Sequence, residues 1–209
     1  TLSQDHKRAY EGDKGPNTGG MGAYSPVPII TDEDVEYAME KVMKPTAAGM
    51  VAEGCPFTGV LYGGLMKTPN GVKVIEFNAR FGDPETEVVL PRLKSDAIDI
   101  FMAVASDEQP VAEWSEGATL GIVLASKGYP GDYAKGFAIR GAENVASKVY
   151  HMGTAMKDGE LVTAGGRVMI VVAEAPTLRE AQQKAEADVA RIECDNLFHR
   201  TDIGAKAFR

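Results

Sequence analysis

The stretch Val74-Ile75-Glu76-Phe77-Asn78-Ala79-Arg80-Phe81-Gly82-Asp83-Pro84-Glu85 alternates in its first half. Glu76, Asn78 and Arg80 share a period of two, and Ile75, Phe77, Ala79 and Phe81 fill the other positions. In an extended strand, successive side chains point to opposite faces. One face is therefore expected to be apolar and to pack on a core. The other carries a carboxylate, a carboxamide and a guanidinium in a row. A carboxylate beside an amide oxygen suits Mg²⁺, which takes hard oxygen ligands and keeps positions for phosphate and water. Arg80 can hold a phosphate or acyl phosphate with its planar fork. Gly82-Asp83-Pro84 stops the strand, and Asp83 reads as the N-cap of a helix that opens with a proline.

Outward from this strand, the chain alternates between helical and extended patterns. Residues 1–30 are rich in Gly, Pro and Asn and read as an extended segment. Thr31 with Asp32, Glu33 and Asp34 opens a helix striped by Val35, Met39, Val42 and Met43, which Pro45 is expected to break or kink. Phe57 to Met66 and Val72 to Phe77 read as strands joined at Pro69-Asn70-Gly71. Helix is expected again near Asp83 and after Ser95. The polar stretch from Ser106 to Gly117, with Pro110, is placed at a domain boundary, giving domains of 1–109 and 110–209. Beyond it, Leu120 to Ala125 reads as a buried strand. Val145 to Met152 and Arg167 to Ala173 read as further strands, and Lys157-Asp158-Gly159 as a turn between them. Thr177-Leu178-Arg179-Glu180 is a capping box that opens a helix to about Glu193.

The bulk numbers narrow the function classes. The chain has 209 residues, 44% hydrophobic and 25% charged, as in ordinary globular proteins. Its net charge of −8 disfavours a broad nucleic-acid surface. No apolar run approaches a membrane span, and no signal peptide is expected before the first motif. Cys55 and Cys194 make neither a disulfide framework nor a zinc site, so a reducing compartment, the cytoplasm, is expected. The run Asp5-His6-Lys7-Arg8 gathers four ionisable groups, and Gly15 to Gly22 could turn backbone N–H groups toward an anion.

Longer strings carry a resemblance. Glu76 to Thr86, Gln4 to Arg8, Gly12 to Pro26, Phe57 to Tyr62 and Lys127 to Gly131 resemble the phosphoribosylamine–glycine ligases (glycinamide ribonucleotide synthetases), ATP-grasp enzymes of purine synthesis. The resemblance implies an α+β fold. The first domain would be the second half of an ATP-grasp catalytic domain, a mixed or antiparallel sheet with helices, followed by a small α+β C-terminal domain. It implies ligation of glycine to 5-phosphoribosylamine through glycyl phosphate, with ATP as co-substrate and Mg²⁺ or Mn²⁺ at Glu76 and Asn78. Arg80 would hold the migrating phosphoryl group. Asp5 would meet an ammonium or sugar hydroxyl, and Lys7 or Arg8 a phosphate. Gly19, Gly20 and Met21 would line the substrate site. Asp83 and Glu85 divide between capping and substrate binding, with Glu85 facing the amino group of glycine. Lys127 and Arg167 would serve the phosphoribosyl pocket. The resemblance also implies an upstream half of the same enzyme, without which the isolated chain is expected to be inactive. The alternatives are another ATP-grasp carboxylate–amine ligase, or a non-catalytic sugar-phosphate-binding fragment.

Overall fold

A computed structural model describes residues 1–208. In chain order the strands are β1 (Gln4–Asp5), β2 (Arg8–Tyr10), β3 (Lys14–Asn17), β4 (Gly22–Ser25), β5 (Tyr62–Thr68), β6 (Gly71–Asn78), β7 (Ala118–Ser126), β8 (Lys148–His151), β9 (Thr154–Lys157), β10 (Glu160–Thr163), β11 (Arg167–Ala175) and β12 (Leu197–Phe198). The helices are α1 (Asp32–Ala38), α2 (Lys44–Ala52), α3 (Glu85–Val89), α4 (Ala97–Ala105) and α5 (Leu178–Val189). They form two compact units. The first joins Thr1–Val27, Asp83–Arg92 and Trp114–Arg209; the second joins Pro28–Gly82 and Leu93–Glu113. The sequence reading placed one cut at residue 110. The compact units group the chain in another way and interleave along it, because strand pairing draws residues 1–27 into a sheet made mostly of residues beyond 117.

That sheet is the frame of the first unit. Its order is β1-β4-β7-β11-β8, with β12 also on β7, and every pairing is antiparallel. All nine residues of β7 are buried, so it reads as a continuous apolar run rather than an alternating one. Val88 of α3 packs with Ala23, Val123, Ile170 and Val172. Burying a valine of this kind contributes about 2 kcal/mol. The approach of α3 depends on Gly121, where a Cβ would stand 2.6 Å from Ile170 Cδ1 and 3.1 Å from Val88 Cγ1. The helix α5 packs on β7 and β11 and buries Leu178, Ala181, Ala185 and Val189, the spacing of one helical stripe. Its start carries the expected capping box, with Thr177 accepting from Glu180 N and Glu180 returning to the Thr177 backbone. The helix ends at Val189 rather than near Glu193, whose backbone N–H and C=O pair with Arg140 in an isolated β-bridge.

The second unit contains the β5/β6 hairpin and helices α1, α2 and α4. Thr31 caps α1 in a full capping box with Asp34. Pro45 does not break the helical course. A π-turn over Met39–Met43 links α1 to α2, and Pro45 falls in the first turn of α2, where its missing N–H is not needed. The strand β5 begins at Tyr62 rather than Phe57, since Gly59 adopts φ +147° beneath the Phe57 ring. The register of β6 shifts between Val74 and Glu76, opposite Leu65 and Gly64. The expected burial of one β6 face does not occur: Ile75 is 60% exposed and Phe77 39%. A two-stranded hairpin has no second layer of its own to cover that face. Among the described residues, every buried hydrophobic side chain lies in the first unit.

Candidate active site

In the first unit, three charged side chains converge where β1 meets the start of α3. Asp5 ends β1, and the pairing Asp5↔Ala23 fixes its backbone to the sheet. Lys7 follows two residues later and returns its ammonium to Asp5, Nζ to Oδ2 2.8 Å. Glu85 opens α3 and places Oε1 3.9 Å from the same Nζ. The two carboxylate side chains are only 7% and 6% exposed, whereas Lys7 is 44% exposed. Asp5 Oδ1 has no hydrogen-bond partner among the described residues. Burial raises the Asp5 carboxyl to about 6; Lys7 works against this and Glu85 adds to it. Burial likewise raises Glu87 above its ordinary value, with smaller contributions from Asp83 and Glu85. Two buried carboxylates thus stand beside one more exposed ammonium, a polar cluster in which an amine-bearing ligand would find acceptors. Gly20 closes against it at φ +120°, and a Cβ there would stand 2.7 Å from Asp5 Oδ1.

Four N–H groups of the glycine-rich segment beside this cluster are taken up within the protein. Thr18 N donates to Lys7 O at 2.7 Å, Gly19 N to Tyr129 Oη at 2.9 Å, Gly20 N to Thr18 Oγ1 at 3.0 Å and Met21 N to His6 O at 2.9 Å. Met21 is fully buried, so its side chain supports the wall from behind. Asp83 is not the helix cap; Pro84 holds that position without a side-chain bond. The Asp83 carboxylate instead accepts from Arg167 Nη1 at 2.8 Å. The same Nη1 donates to Asp83 O at 3.0 Å and Gly19 O at 3.1 Å. Arg167 thus ties the glycine segment to the turn before α3, with Tyr129 holding the other side of Gly19. Lys127 donates from Nζ to Asp195 O at 2.7 Å.

Behind this wall lies a network that no sequence pattern announced. Arg200, 1% exposed, donates to Asp202 at 2.7 and 2.8 Å, to Asp13 at 3.2 Å and to Arg8 O at 2.9 Å. Lys206 adds a 2.6 Å pair with Asp13, and Asp202 Oδ2 accepts from Gly12 N at 2.8 Å. His6 is fully buried, and its Nε2 accepts from Gly204 N at 3.3 Å. Burial, with Lys206 and Arg200 nearby, lowers His6 to about 4, so it stays neutral and structural. These bonds fix the β2/β3 hairpin that leads into Gly19 and Gly20.

The second unit carries the other candidate group. Along β6, Glu76 stands opposite Gly64 and Asn78 opposite Tyr62, two residues apart on one face. A Cβ on Gly64 would come 3.0 Å from Glu76 Cγ, so glycine gives the carboxylate its space. No cluster of three or more His, Cys, Asp or Glu suited to a metal occurs among the described residues. Two oxygen donors on one strand still fit a hard cation that takes its remaining ligands from phosphate and water. The strand ends at Asn78, so its alternation does not extend to Arg80, whose Nη1 donates to Phe81 O at 2.8 Å.

Comparison with known proteins places this arrangement. Residues 1–86 match the phosphoribosylglycinamide synthetase ATP-grasp (A) domain, and residues 119–206 match the C domain of the same synthetase. The chain is 54% identical over 207 residues to a phosphoribosylamine–glycine ligase of Halalkalibacterium halodurans, covering 98% of this chain and 48% of that one. It is 52% identical over 210 residues to the Listeria innocua ligase, covering 99% of this chain and 50% of that one. The chain thus spans about half the length of the curated relatives it matches. The crystal structure of the Thermotoga maritima ligase superposes with a TM-score of 0.87 at 33% identity, over 97% of this chain and 51% of that one. The biotin carboxylase subunit of pyruvate carboxylase shares the fold, with a TM-score of 0.52 at 17% identity, over 86% of this chain and 40% of that one. With both domain models matched in order and the α+β ATP-grasp fold in place, the chain belongs to the phosphoribosylglycinamide synthetase family.

Proposed function

We propose that the enzyme containing this chain joins glycine to 5-phosphoribosylamine through glycyl phosphate, consuming ATP and releasing ADP and phosphate. The observation that carries this reading is the match of residues 1–86 and 119–206 to the two synthetase domains, with the buried carboxylates of Asp5 and Glu85 gathered beside Lys7 in the matched part. An amine is the ligand such a cluster favours. Glu76 and Asn78 would hold Mg²⁺ or Mn²⁺, which when bound supplies charge neutralisation for the ATP phosphates. Arg80 would grip the migrating phosphoryl group. Asp5, Lys7 and Glu85 orient the amine, and Gly19 and Gly20, held by Arg167 and Tyr129, form the wall beside it. Within this proposal, Met21, Asp83 and Arg167 act as supports of that wall, and Lys127 serves the phosphoribosyl pocket. The division into an ATP-grasp portion at 1–109 and a C-terminal domain at 110–209 belongs to the same proposal, as does a cytoplasmic location. No helix among the described residues is long and apolar enough to cross a membrane.

Catalysis of this kind rests on positioning and charge rather than a covalent enzyme intermediate. The test is product formation by the full-length protein with ATP, Mg²⁺, glycine and 5-phosphoribosylamine. Glycine-dependent ADP release with formation of glycinamide ribonucleotide supports the reading; absence of that product rejects it. The same assay on residues 1–209 should give no turnover. Turnover there would reject the upstream half as a required partner.

A further inference from the structure

Arg92 closes the helical turn Leu90–Arg92 that follows α3, and it is only 7% exposed. Its Nη1 donates to Ser25 Oγ at 2.6 Å and to Thr1 Oγ1 at 3.3 Å, and its Nη2 to Ser115 O at 2.8 Å. All three acceptors are neutral, and Nε has no hydrogen-bond partner among the described residues. No carboxylate among those residues pairs with Arg92: burial alone shifts it, below the ordinary guanidinium value. Arg200 in the same unit is as deeply buried, yet there Asp202 and Asp13 outweigh the burial and raise it. Buried charges are ordinarily paired in this second way.

A cavity of about 330 Å³ lies against Arg92, within the first unit, and Ser115, Gly117, Thr119, Glu174 and Lys184 also line it. That volume is near the lower end for sites that take small molecules. The Glu174 carboxylate is already held by Lys148 at 2.7 Å. Lys184, on α5, spends one N–H on Glu174 O at 3.2 Å, and its ammonium has others to give. None of Asp5, Lys7 and Glu85 lines the cavity. We propose that it binds the phosphate group of a small anion, with Arg92 as the buried cation and Lys184 as the exposed one. A phosphate monoester carries close to two negative charges at neutral pH, which two cations match better than they match the single charge of a carboxylate. The Arg92 charge acts on such a group at short range, with little water between to screen it.

The experiment is calorimetric titration of the full-length protein at constant ionic strength with glycerol 3-phosphate, inorganic phosphate and acetate. At least one of the two phosphates should bind, and acetate should bind more weakly. Lys184→Glu should weaken phosphate binding about tenfold, as expected for reversing one exposed charge. Because Lys184 is exposed, its melting temperature should stay that of the wild type. Arg92→Gln should weaken binding about 100-fold, since it removes a buried charge; if that variant does not fold, Lys184→Glu carries the test. Tighter binding of glycerol 3-phosphate supports the site with an ester as its ligand, and tighter binding of inorganic phosphate supports it with the free ion. Phosphate binding that Lys184→Glu leaves unchanged belongs elsewhere in the protein and overturns the inference. Acetate binding as tight as phosphate, or no phosphate binding into the millimolar range, overturns it too. None of these outcomes depends on which reaction the complete enzyme catalyses.

Discussion

At the scale of single residues, Asp5 shows how a site can be placed against the stability of its own fold. Its folded-state value of about 6 lies above the 3.8 of a free side chain. A raised carboxyl stabilises the fold fully below the unfolded value, and that contribution is lost as pH rises through the folded one. Between about pH 4 and 6, therefore, Asp5 turns from neutral to a cost that persists at pH 7. That displacement corresponds to roughly 3 kcal/mol, with the relief that Lys7 gives already contained in it. Asn mimics the protonated form, so Asp5→Asn should raise the melting temperature of the first unit at pH 7.5 and leave it nearly unchanged at pH 4. Calorimetry at the two values checks this, and equal shifts at both would return the effect to packing. The sequence made Asp5 and Lys7 visible, because a run of four ionisable residues stands out. The burial of the Asp5 carboxylate was not legible, since Glu85 and Gly20, which close around it, are distant in the chain. The same holds for Arg200, whose partners Arg8 and Asp13 lie near the other end of the sequence.

At the scale of elements, local rules read well wherever the signal was local. The capping boxes at Thr31 and Thr177 formed as their spacing required, and the apolar run of β7 became a fully buried strand. The strand β6 also formed, though its register shift at Ile75 interrupts the alternation, and a strand pattern shows which residues are apolar, not what covers them. Val74, Ile75 and Phe77 on the hairpin, with Ile98, Phe101 and Met102 on α4, remain between 39% and 69% exposed. Exposed apolar surface of this extent marks a region that packs on something else. Elements with few buried apolar contacts open at low free energy. In residues 1–209 alone, limited proteolysis should cut first within 28–82 and 93–113, with the β7/β11 core protected. Hydrogen exchange should show the same order. Equal protection of both regions would mean that the second unit is stable without a cover.

At the scale of the whole molecule, the family divides the sequence at residues 86 and 119, while the first compact unit takes strands from both sides of that division. The strand β4 pairs with β7 along four residues, from Gly22↔Ile122 to Ser25↔Thr119. Residues 119–209 on their own would leave that side of β7 without its partner, a bare apolar edge of the kind that recruits other chains. Expressed alone, that segment should associate or precipitate, and adding residues 1–27 as a peptide should reduce the association. A soluble monomeric 119–209 by sedimentation would refute this.

The pairing of β4 with β7 also bears on ancestry. If a lineage exchanged its C domain for another's, the newcomer would have to accept a foreign strand along its β7 edge, and Gly121 and Gly22 would have to meet at the same close approach. The Tyr129 hydroxyl would have to find the same amide at Gly19. Inheritance of the two family segments is therefore expected to be linked. Hybrid genes spliced between residues 86 and 119 from distant relatives should fail more often than hybrids that carry residues 1–27 along with the C domain.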